Sequence, residues 1–96
     1  MRLGIGWYTA ETYAALCAVA DDRDTLPATH AEWERKARKI LFTLRGQGMD
    51  PEQYFVNVEE LVRWCKDRGL PLTGEHRARF VSEQVQAAPV IRELKF

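Results

Sequence analysis

The sequence predicts an α-rich α+β domain of about four helices with a small antiparallel sheet of two or three strands. Three observations carry that expectation. Apolar residues recur at helical spacing in well-separated stretches, short runs at 2–7, 53–57 and 90–96 read instead as strands, and glycine, proline or capping residues stand between them. Ninety-six residues with 46% hydrophobic content fit a single globular domain over 1–96, large enough to bury roughly 60–65% of the surface of its unfolded chain.

The stretch Thr29 to Gly48 is the best-specified element. Trp33, Ala37, Ile40, Leu41 and Leu44 fall on one face of a 3.6-residue period. Thr29 caps the first turn with Glu32 three residues on, and Gly46 and Gly48 end the helix, one of them in the left-handed conformation. Glutamates open the helix and basic residues follow, which agrees with its dipole. Upstream, Leu3, Ile5 and Trp7 share one face of a short strand, although Gly4 and Gly6 lower its propensity. Thr9 then caps a helix running to about Ala20, with Tyr13, Leu16, Cys17 and Ala20 on its apolar stripe.

Downstream, β-branched and aromatic residues make 53–57 the clearest strand. Asn57 and Glu60 open a third helix that carries Val58, Leu61, Val62 and Cys65 and stops at Gly69 and Pro71. Thr73 caps a fourth, from about Gly74 to Ala87, with Ala78, Val81, Val85 and Ala88 on a thinner face beside Phe80. Pro89 breaks it. The tail VIRELKF alternates enough to form a strand, which would pair with 53–57 because a lone strand leaves its main-chain groups unsatisfied.

Several stretches, namely WYTAETY at 7–13, LPATHAEW at 26–33, ELVRWCKDRGL at 60–70 and RARF at 77–80, together resemble a group of small uncharacterised proteobacterial proteins. The resemblance implies an α-rich α+β fold and no activity.

Charge and motifs then narrow the function classes. Fourteen basic and 14 acidic residues give no global preference for nucleic acid or an anionic membrane, so any basic surface must be local. The N-terminus lacks the apolar core of a signal peptide and no run approaches the ~18 residues of a membrane span, which reads as cytoplasmic. Cys17 and Cys65 lie on helical stripes without C-x-x-C spacing, the pattern of buried reduced thiols. Asp21, Asp22 and Asp24 do not make a calcium loop, since Pro27 and Trp33 occupy the places that need Gly and Glu; a solvated acidic linker is the expectation. Cys17, Cys65 and Ser82 are the nucleophiles on offer and His30 and His76 the bases; the pairing that chain order favours is Cys65 with His76, and a thiol on an apolar stripe argues against it. The sequence gives no catalytic, metal or cofactor motif, and the domain is read as non-enzymatic, with no cofactor.

Two surfaces remain. On the outward side of the central helix, Arg35, Arg38, Lys39 and Arg45 surround Phe42, which lies nearly opposite Trp33. An exposed phenylalanine among basic residues suits an acidic, partly apolar protein partner, or nucleic acid through phosphate contacts and stacking. A solvated face, or Phe42 buried under a terminal segment, is the plainer alternative. Trp7 and Trp64, at element edges, are the second candidate surface against core packing. The reading is a small protein-binding module or regulator, with a nucleic-acid-binding accessory protein as the alternative.

Overall fold

The computed structural model describes residues 2–87. In chain order these form β1 (Gly4–Trp7), α1 (Ala10–Val19), a 3-10 turn (Arg23–Thr25), α2 (His30–Gly46), β2 (Glu52–Phe55), α3 (Val58–Arg68) and α4 (Gly74–Ala87). The strand expected over 90–96 lies outside the described residues.

Each helix has a local reason to begin where it does. Thr9 and Thr12 form a reciprocal capping box at α1, the Thr29 hydroxyl accepts from the Glu32 amide at 3.2 Å, and the Asn57 side chain accepts from the Glu60 amide at 3.0 Å. The exits use glycine where the chain turns left-handed. Gly69 caps α3 at φ 64°, and Gly48, at φ 85°, follows α2 where the Met49 amide returns to the Leu44 carbonyl.

The sheet is the first correction. β1 and β2 pair in parallel, with Gly4 opposite Glu52 and Trp7 opposite Phe55, instead of forming an antiparallel sheet. The connection explains it. Trp33, near the start of α2, packs against Tyr8 just beyond the end of β1, while α2 ends close before β2 begins. The helix thus returns the chain to the end of the sheet where β1 started, and a second strand entering there must run the same way. β2 also ends earlier than expected, since Val56 is buried and Asn57 already caps α3.

β1 is covered on both faces. Ile5 and Trp7 point toward α2 and join Trp33, Ala37 and Leu41 in a small apolar cluster. Gly4 and Gly6 face α4, and their missing side chains are what lets that helix lie directly on the strand: a Cβ at Gly4 would come within 2.4 Å of Val85 Cγ2, and one at Gly6 within 3.1 Å of Val81 Cγ2. Glycines that weaken the strand's propensity here set the depth of the packing. Gly4→Ala should therefore destabilise the domain by about 1–3 kcal/mol, as overpacking does. A urea midpoint unchanged by that substitution would show that α4 does not rest on β1.

The main core lies between α1, α3 and α4, where Tyr13, Leu16, Leu61, Cys65, Phe80 and Val85 are buried together. The linker of aspartates is the second correction. Most of the linker is exposed, as expected, but it also works as a clasp: Asp21 exchanges hydrogen bonds with the main chain of Leu72, and Asp22 takes the Gly74 amide at 2.9 Å and two contacts from Arg77 at 2.7 and 3.1 Å. Asp22 thereby satisfies an orphan amide of α4 across 52 residues of sequence, a role the sequence analysis gave to Thr73. Arg77 and the Gly74 amide hold the Asp22 carboxyl below its ordinary range despite partial burial.

Candidate functional site: the outward face of α2

The face of α2 that meets the sheet is narrower than its apolar stripe. Ala37 and Leu41 are buried and Trp33 and Leu44 half-buried, whereas Ile40 keeps 55% of its surface exposed. A two-stranded sheet offers too little width to cover the whole stripe. Ile40 and Leu44, with Lys39, Thr43 and Gln47, border a shallow depression of about 310 Å³.

On the outward side the expected residues are brought together and open to solvent. Phe42 is 80% exposed, the most exposed large apolar residue among those described. Arg35, Arg38, Lys39 and Arg45 are all exposed around it. Arg38 differs from the other three. Its guanidinium sits 5.6 Å from the centre of the Trp7 ring and 3.3 Å from Glu34, so it is held in place by cation–π and ion-pair contacts. Arg35, Lys39 and Arg45 form no ion pair among the described residues.

Beside this face lies a second exposed aromatic, which the sequence analysis did not single out. Phe55 is 62% exposed and stands opposite Trp7 in the parallel register, so both point to the side of the sheet that carries α2. Tyr54, pointing the other way, packs edge-on against Phe80. Burial first, and the Glu60 charge second, push the Tyr54 phenol up, which places the influence of Glu60 on that opposite face. Exposure of Phe55 follows from the parallel pairing and is invisible while the partner strand is unknown.

The tryptophans fall into the core. Trp7 is buried and makes an edge contact with Trp33 at 5.2 Å. Trp64 packs on Phe80, donates its indole N–H to Glu83 at 3.3 Å, and lies beneath Arg68 with 4.3 Å from guanidinium carbon to ring centre. That indole is occupied by its own helices and leaves no surface to a partner.

Among the described residues, neither histidine has a cysteine as its hydrogen-bond partner. Cys65 is buried, and burial pushes its thiol up, away from the thiolate that a nucleophile needs. Cys17 is half-buried and also free. His76 Nδ1 donates to the Pro71 carbonyl at 2.8 Å, and His30 Nε2 donates to the Tyr8 carbonyl at 2.7 Å while its ring stacks on Trp33. Both imidazoles serve to fix turns. Among the described residues, no group of three His, Cys, Asp or Glu side chains is arranged to hold a metal ion, and no helix is long and apolar enough to cross a membrane.

No family model, no curated protein and no solved structure matches the chain. The resemblance drawn from its scattered stretches therefore assigns no role to any residue, and function rests on the geometry.

Proposed function

We propose that this domain is a protein-binding module whose recognition surface is the outward face of α2, with Phe42 as the anchor and Arg35, Arg38, Lys39 and Arg45 as its basic surround. The observation that carries the reading is the 80% exposure of Phe42 on a helix whose opposite face is already used by the sheet. A large aromatic held in water gains most by entering a partner's pocket, and aromatic and arginine residues are the usual centres of binding energy. The surrounding charges favour an acidic partner and a faster encounter. Equal numbers of acidic and basic residues over the chain weigh against a phosphate-tracking surface, which is normally net basic.

A partner captured from the native host allows the reading to be tested by titration. Phe42→Ala should weaken binding by about 2 kcal/mol or more, while Lys39→Ala should cost less and act mainly on the association rate. Arg38→Ala should fall between them, because it also uncovers Trp7. Affinity that ignores Phe42 overturns the reading. Affinity that falls log-linearly with salt, by about one unit of slope per basic residue removed, would assign the face to nucleic acid.

A further inference from the structure

We infer that the outer edge of β2 takes up an extended acidic segment of the partner as an added strand, with an apolar side chain of that segment seated between Phe55 and Phe42. The inference rests on the protein-binding reading and names how the partner is held. The main chain supplies the first observation. The Glu52 amide bonds to the Leu3 carbonyl and the Val56 amide to the Trp7 carbonyl, so alternate residues of β2 face β1. Gln53 and Phe55 consequently turn their N–H and C=O groups away from β1, and no other described residue bonds to them. Within Glu52–Phe55 no lysine or proline interrupts this edge, Pro51 closing it only at its start, and an edge that no described residue covers is a template for strand addition.

Geometry of the crossover supplies the second. β1 connects to β2 through α1 and α2, and the right-handed sense that about 98% of parallel crossovers take would set β2 under the flank of α2 that bears Arg38, Phe42 and Arg45. Because α2 runs opposite to the strands, Arg38 lies level with Trp7 and Phe55, and Phe42, one helical turn on, lies about 6 Å nearer the start of β2. That shift is close to two strand residues, which brings Phe42 level with Gln53. A strand laid on the β2 edge would pass under this flank. Its side chains on the α2 side, alternating in position, would meet Phe55 and Phe42 with an apolar residue and Arg38 and Arg45 with acidic ones. Those two charges select the sign of the segment.

Titration of the full chain with a fluorescein-labelled peptide of about nine residues, alternating glutamate with leucine or phenylalanine, tests this by anisotropy. The control variant is Gln53→Pro, which removes an outward N–H and leaves the ladder to β1 intact. Saturable binding is expected, weakened about tenfold or more by Gln53→Pro, and as much by N-methylation of alternate peptide amides. If Gln53→Pro fails to fold by circular dichroism, the N-methylated peptide decides. Binding lost with Phe42→Ala but indifferent to both backbone changes overturns strand addition and leaves the α2 face as the surface. Binding indifferent to Phe42→Ala as well overturns both. No saturable binding up to about 1 mM overturns strand addition alone, because the captured partner still tests Phe42.

Discussion

Phe80→Ala should destabilise the domain by about 3–5 kcal/mol, enough to leave much of the population unfolded in a protein of ordinary marginal stability. The ring is 2% exposed and among the largest fully buried side chains. It meets Trp64 edge-on at 5.8 Å from the α3 side and Tyr54 at 6.4 Å from the β2 side. Its removal thus empties the junction between helices and sheet, and three rigid elements cannot all move in to close the void. The loss extends beyond transfer of one ring, since edge contacts between aromatics add to the burial of their area. Chemical denaturation gives the value. A cost below about 1 kcal/mol would mean that Phe80 is not at this junction. Phe80→Leu, which keeps most of the volume, should cost much less.

Asp22→Ala is expected to cost about 2–4 kcal/mol, from the loss of a helix cap together with charge-assisted hydrogen bonds to a guanidinium that is itself only partly solvated. The wild type should show the same clasp in its pH dependence. Arg77 first, with the Gly74 amide and the Thr25 hydroxyl, lowers the Asp22 pKa in the folded state. The folded protein therefore binds this proton less readily than the unfolded chain does. The associated stability is fully present above the unfolded value of about 4 and drains as pH falls through the lower, folded value. Denaturation midpoints measured downward from neutral pH should decline in that acidic window, and the portion due to Asp22 should vanish in Asp22→Asn. An identical acid profile in the variant would show that Asp22 and Arg77 do not pair.

How much of this could be read in the sequence depends on the range of the interaction concerned. Helix starts at Thr9, Thr29 and Asn57 and stops at Gly48 and Gly69 are set by side chains within a few residues, and the structure uses each of them. The position of Phe42 opposite Trp33 was legible for the same reason, since helical phase alone sets it, whereas its exposure depends on whether a terminal segment covers it and was not. Everything that depends on which segments meet was not. Strand direction follows from where α2 delivers the chain, and Gly4 and Gly6 weaken a strand by propensity while admitting Val85 and Val81 by contact. Asp22 reads as solvated until Arg77 and Gly74, more than fifty residues later, are brought to it. Ile40 matches the apolar period of α2 but lies beyond the width of the sheet beneath it. The site followed this division. Phe42 and its basic neighbours came from one helix, whereas Phe55 joined them only through the pairing of β1 with β2.

Site-specific photocrosslinking tests the central claim most directly. A benzophenone amino acid is placed at position 42 of the full chain in its native host, with a control at Glu11, which is exposed on α1 away from the proposed surface. The account predicts discrete, protease-sensitive adducts from position 42, absent from the control and reduced when Arg38 and Lys39 are replaced by glutamate. Adducts at neither position, equal adducts at both, or adducts removed by nuclease would contradict it.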